Sequence, residues 1–161
     1  MDTPAPRTLF DRIDRKIVGW MAEHGITLLR ISLGIVFLWF GALKFFPHMS
    51  PAEMLAGKTI AVLTFDTVQP AQSLPVLAAW ECLIGLGLLT GVAKRVTLLL
   101  LFVQMTGTLL PLALFPKETW AIIPLVPTLE GQYIIKNLVL ISAGIVIGAT
   151  VRGDKPQPGR R

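Results

Sequence analysis

Residues Ile26 to Phe46 read ITLLRISLGIVFLWFGALKFF. The stretch is about 21 residues long, the length an α-helix needs to cross a bilayer core of roughly 30 Å. Two cations, Arg30 and Lys44, lie inside it. Counted from Arg30, the residues Arg30, Gly34, Phe37, Gly41 and Lys44 fall at helical offsets and share one stripe. That stripe carries a charge near each end and two glycines between, where a second backbone can come close. A charge at membrane depth is costly, so such residues normally face the protein interior and find partners there. The rest of the chain is therefore read for partners to this stripe.

The 161 residues are 53% hydrophobic. A soluble domain reaches about 45–50% apolar residues only when glycine is counted. The apolar residues here come in long blocks, which predicts a polytopic membrane protein. Four crossings with short loops use up the chain, so residues 1–161 are expected to form a single membrane domain. Cys82 is the one cysteine. That excludes an intrachain disulfide, a CxxC redox pair and a cysteine zinc site. His24 and His48 fall on opposite sides of the first crossing, and no His/Cys/acid cluster has metal-ligand spacing, so no metal site is expected. The net charge of +5 is accounted for by cations at helix ends and does not call for nucleic acid. The first 24 residues mix acids with bases, and the apolar block after them is too long for a cleaved signal peptide.

Phe10, Ile13, Ile17, Trp20 and Met21 recur at helical spacing, with Asp11, Arg12, Asp14, Arg15 and Lys16 on the other face. Thr8 to Met21 is thus expected as an amphipathic helix on the membrane surface, with a break at Gly25. The alternative is a straight extension of the first crossing. Pro47 should stop that crossing. Ser50-Pro51-Ala52-Glu53 is a capping-box arrangement with proline at the first helical position. It predicts a short helix to about Ala56, ended by Gly57. The apolar run TIAVLTF (59–65) is too short to cross and should lie at the interface or fold back over the bundle.

The second crossing is expected over Leu74–Val92, with Glu81 near its middle, and the third over Val96–Phe115. In the third, Thr97, Gln104 and Thr108 share a stripe with Leu101 and Pro111. Pro116 to Gln132 forms a second external segment. The fourth crossing, Tyr133–Val151, carries Lys136 and Asn137 near its start and Gly144-x-x-x-Gly148 near its end. That glycine pair is read as packing within the chain, with a homo-oligomer contact as the alternative. Ten loop cations lie on the side of the termini and two, Lys58 and Lys117, on the other. By the positive-inside rule both termini are expected in the cytoplasm.

At 1.5 Å rise per residue, Glu81 falls about 3 Å outward of the membrane centre, Lys136 about 9 Å outward and Lys44 about 12 Å outward, with Arg30 about 9 Å inward. Lys136 is the cation nearest Glu81 in depth, and the stems of both lysines can bend toward it. Arg30 needs a carbonyl, water or the inner headgroups. Glu81 is too deep to snorkel. Lys44, Glu81, Gln104, Lys136 and Asn137 are therefore the candidate ligand-binding groups, with Arg30, His48 and Tyr133 as further candidates. Each has a plainer reading: a Glu–Lys pair fixing helix register, or cations snorkelling to headgroups. Cys82 reads as a small packing residue.

Three segments, RISLGIVFLWFGALKFF, WECLIGLGLLTGVAKR and EGQYIIKNLVLISAGIVIG, resemble the DoxX family of small bacterial four-helix membrane proteins. The matching positions are Arg30, Gly34, Gly41, Lys44, Glu81, Gly85, Gly91 and Arg95. The likeness covers about residues 26–151 and is most specific in the first two crossings. It implies an all-α, integral membrane four-helix bundle in a bacterial plasma membrane. The family takes its name from a subunit of a thiosulfate:quinone oxidoreductase, and the resemblance implies a link to redox systems. The chain lacks the cysteine pair of thiol-redox membrane relatives and carries no evident redox group. The leading expectation is an accessory subunit that binds a quinone or lipid-like molecule in an outward-opening pocket, with a separate redox partner protein doing the chemistry. The alternatives are a small proton-coupled transporter using Glu81 and a structural scaffold subunit.

Overall fold

The computed structural model describes residues 9–46, 49–50 and 53–152. Four helices are long and apolar enough to cross a membrane. They are α1 (Leu9–Leu43), α3 (Pro70–Thr90), α4 (Lys94–Leu109) with its continuation α5 (Pro111–Leu114), and α7 (Leu129–Ala149). Between α1 and α3 lies α2 (Glu53–Leu63). Between α5 and α7 lie α6 (Pro116–Thr119) and an antiparallel hairpin, β1 (Trp120–Ile122) with β2 (Val126–Pro127). Four crossings return the chain to its starting side, so both ends of the described chain share one end of the bundle. The other end carries α2, α5, α6 and the hairpin and is called here the capped end.

The boundaries follow from local chemistry. Pro70 opens α3 at a position where a missing N–H costs nothing. Gly91 closes it in the left-handed conformation, φ 71°, its N–H donating to Gly87 O. Pro111 cannot donate back to the preceding turn, and the third crossing steps from α4 to α5 at Leu110. The Thr128 side chain accepts from Gly131 N and so caps α7.

Two expectations are corrected here. Residues 9–25 are not a separate surface helix: α1 runs unbroken for 35 residues through Gly25. A single glycine costs about 1 kcal/mol in a helix interior, which lowers but does not cancel the tendency of its neighbours to stay helical. Trp20 and His24, one turn apart, stack with ring centroids at 5.2 Å just before that glycine. Gly57 likewise does not end α2, which continues to Leu63 and takes in most of the apolar run. Gly57 is buried instead against Pro70, where an added Cβ would lie 3.2 Å from the proline Cβ. The chain leaves α2 through Phe65 and Asp66, both at positive φ. In the proposed capping box, Pro51 and Ala52 lie outside the described residues; Glu53 N donates to Ser50 O at 3.1 Å.

The glycine stripe on α1 sets the main packing seam. A Cβ on Gly34 would sit 2.9 Å from Leu89 Cγ, one on Gly41 2.9 Å from Glu81 Cβ, and one on Gly85 of α3 2.5 Å from Leu38 N. Helices α1 and α3 therefore lie backbone against backbone, which a side chain at any of the three positions would prevent. Gly144 meets Leu101 and Phe102 of α4, and so packs within the chain. The core is formed by Leu33, Phe37, Ile84, Leu88, Leu98, Leu101, Met105, Ala143 and Ile147. By sequence position these fill the half of the bundle nearer the termini.

The two capping segments meet. Lys58 of α2 pairs with Glu118 of α6, Nζ to Oε1 at 3.0 Å. Trp120 Nε1 donates to Leu112 O at 3.1 Å, and Thr128 N to Thr119 O at 3.0 Å. The hairpin is thus tied to the ends of α5 and α7, and the two external segments meet over one end of the bundle.

Candidate functional site

Glu81 lies at the middle of α3 and is only 8% exposed. Its position against α1 follows from Gly41, which admits the Glu81 Cβ and the Cys82 amide to close range. Lys44 stands three residues beyond Gly41, in the turn that closes α1, where Lys44 N donates to Gly41 O. That places the ammonium over the carboxylate: Lys44 Nζ to Glu81 Oε2 is 2.5 Å. The second carboxylate oxygen, Oε1, accepts from Gln104 Nε2 of α4 at 2.9 Å. Three crossings thus converge on one carboxylate.

The cluster is electrically balanced. An isolated buried carboxylate is costly, and a cation together with an amide donor offsets that cost. Lys44 has three protons; one goes to Glu81 and a second reaches Phe40 O at 3.5 Å. Gln104 keeps a second N–H and its carbonyl oxygen for another partner. Both oxygens of Glu81 are engaged, yet each retains accepting capacity. The cluster can therefore donate to, and accept from, a further polar group.

Such a group has somewhere to sit. A cavity of about 480 Å³ opens from the cluster toward the capped end. Its walls are mostly apolar: Leu55, Ile60 and Leu63 from α2, Val76, Leu77 and Trp80 from α3, Val103 and Pro111 from the third crossing, and Ile134 from α7. The volume lies within the range of small-molecule sites. Thr59 and Thr108 also line it, but each hydroxyl donates to a carbonyl one turn back, Leu55 O at 2.7 Å and Gln104 O at 2.7 Å. The indole N–H of Trp80 donates to Leu100 O at 3.2 Å, which fixes the ring as part of the wall.

Of the residues singled out from sequence, Lys44, Glu81 and Gln104 meet at the cavity, and Lys136, Asn137 and Tyr133 do not line it. Depth alone had favoured Lys136 as the partner of Glu81. The buried face of α7 is Gly131, Ile134, Ala143, Gly144 and Ile147. Lys136 is two residues from Ile134, so the helical turn carries it to the opposite side. It is exposed, its Nζ 5.0 Å from the centroid of the Tyr133 ring. Asn137 is half-buried and Tyr133 is exposed. Arg30 lies at the other end of the seam. It donates to Leu88 O and, at 3.0 Å, to Leu89 O, and so completes two of the carbonyls that end α3. His48 lies outside the described residues. Cys82 is half-buried with Sγ 3.8 Å from Leu38 O. Among the described residues no group of three or more His, Cys, Asp or Glu could hold a metal ion.

Sequence reasoning missed the share of α2 and the role of Trp80. The signal for α2 was the apolar run 59–65 after the capping arrangement, too short to cross yet too apolar for water. Trp80 immediately precedes Glu81, but nothing in its spacing marks it as a wall residue.

No curated protein and no solved structure matches the chain. The DoxX family model does, over residues 25–114, a segment that holds the glycine seam, the Lys44–Glu81–Gln104 cluster and the whole of α2. With four membrane-length apolar helices and that match over more than half its residues, the chain is an integral membrane protein that belongs to the DoxX family.

Proposed function

We propose that this protein binds a quinone- or lipid-like amphipathic molecule in the cavity beneath α2 and presents it to a redox partner protein as an accessory subunit. The observation that carries this reading is the make-up of the cavity: about 480 Å³ of mostly apolar wall with one charged, hydrogen-bonding end formed by Lys44, Glu81 and Gln104. A molecule with a carbonyl- or phosphate-bearing head and an apolar body matches that arrangement. The free protons of Lys44 and Gln104 would donate to the head, and Trp80, Val76 and Ile60 would flank the body. The chain supplies no redox group, so the electrons belong to the partner and to the ligand. The excess of loop cations at the side of the termini favours a cytoplasmic location for both of them. The capped end and the cavity would then face outward from a bacterial plasma membrane.

The test is extraction of the full chain in a mild detergent, followed by mass spectrometry of retained small molecules and titration with a short-chain quinone. Binding should quench the fluorescence of Trp80, and Trp80→Phe should remove that part of the signal. Gln104→Leu should weaken retention while leaving the Lys44–Glu81 pair in place. Absence of any retained amphipath and of any quinone-dependent quenching would overturn the reading. Glu81-dependent proton-coupled uptake in proteoliposomes would replace it with a transporter.

A further inference from the structure

A second groove lies at the opposite end of the bundle from the cavity, between α4 and α7. It has a volume of about 650 Å³ and is lined by Arg95, Leu98, Leu99 and Phe102 of α4 and by Gly148 and Arg152, among others. The geometry points to this groove as a binding site for one anionic phospholipid of the leaflet on the side of the termini.

Three observations carry the assignment. The first is charge. Arg95 and Arg152 come from different elements, both are exposed, and neither makes a side-chain hydrogen bond or ion pair with a described residue. Two forked guanidiniums at one rim suit a phosphate, which takes paired N–H donors. The second is shape. Arg95, Leu98, Leu99 and Phe102 follow one another at helical spacing, so the groove runs from a charged rim to an apolar floor over about 10 Å of helix. That is the layout of a headgroup with an acyl chain below it, and free phosphate would use only the rim. The third is space. A Cβ on Gly148 would touch only Leu98, at 3.6 Å, so the glycine leaves the floor open rather than packing the helices shut. Basic pockets between crossings at a charged membrane face are a general way of holding anionic lipid headgroups. The groove shares no residue with the Lys44 cluster, and the inference stands apart from the function proposed above.

The experiment reconstitutes the full chain in mixed phosphatidylglycerol and phosphatidylcholine and measures, by native mass spectrometry, which lipid stays bound. Phosphatidylglycerol should be enriched over its share of the mixture. Arg95→Gln and Arg152→Gln should each reduce that enrichment about fivefold. Gly148→Leu keeps both arginines but fills the floor, and should also abolish it. Arg12→Gln, at the same membrane side but outside the groove, should leave it unchanged. Unfolding temperatures of the same samples identify a variant that has lost its fold. Equal retention of both lipids, or equal loss in Arg12→Gln, would overturn the assignment. So would displacement of the bound lipid by millimolar inorganic phosphate, or an undiminished preference in folded Gly148→Leu.

Discussion

Arg30 and Lys44 lie on the same stripe, at either end of the glycine seam, and the two halves of the bundle use them differently. Arg30 sits in the half filled by Leu33, Ile84, Leu88 and Ile147, and its donors go to main-chain carbonyls at the end of α3. Lys44 sits in the half that holds the cavity, and its donor goes to a side-chain carboxylate at the cavity edge. A carbonyl that ends a helix is a fixed partner, and Arg30 lines neither the cavity nor the groove. A carboxylate next to a cavity shares its cation with whatever enters. The same residue chemistry thus ties down a helix end where the bundle is packed and borders a cavity where it is hollow.

The largest expected effect comes from the hollow half. Glu81→Gln leaves Lys44 without its counter-charge and should cost about 3–5 kcal/mol in unfolding free energy. Adding Lys44→Met removes the stranded cation, so the double variant should recover most of that loss while still failing to retain ligand. Thermal unfolding and retained ligand measured on one sample separate the two effects. Equal destabilisation in the single and double variants would break the comparison. Next comes the solid half. Arg30→Met strands two carbonyls at the end of α3 and should cost about 1–3 kcal/mol. Ligand retention should be unchanged in the folded fraction; a selective loss would mean that Arg30 also serves the cavity. The smallest effect is reserved for Lys136. With its side chain exposed on the far face of α7, Lys136→Met should change stability by less than about 0.5 kcal/mol and retention not at all. A large effect on either would return Lys136 to the site.

The features legible in the sequence were those with a period or a length. Four apolar blocks became four crossings, and Gly34 and Gly41 on the stripe became the seam with α3. Lys44, Glu81 and Gln104 were readable as polar groups at membrane depth and do converge. What could not be read was rotation about each helix axis. Lys136 had a suitable depth, but α7 is apolar nearly all round, so the sequence left its buried face unmarked. Continuity was the other difficulty. Gly25 and Gly57 are weak breakers whose effect depends on their surroundings, and both lie inside unbroken helices. The hairpin from Trp120 to Pro127 is held by an indole bond to Leu112 O and a main-chain bond from Thr128 to Thr119, and neither leaves a periodic pattern in the sequence.

The unbroken α1 also has a metric consequence. At 1.5 Å per residue its 35 residues span about 50 Å, against a hydrocarbon thickness of about 30 Å. Tilt cannot absorb so large an excess. About 20 Å of α1, at the end that places Asp11, Arg12, Asp14, Arg15 and Lys16 within two turns, therefore extends beyond the acyl chains as a rod. The rod is an outrigger of fixed span. Its tip and the floor of the membrane are set apart by the helix rise itself, and shortening it by four residues would draw them about 6 Å closer.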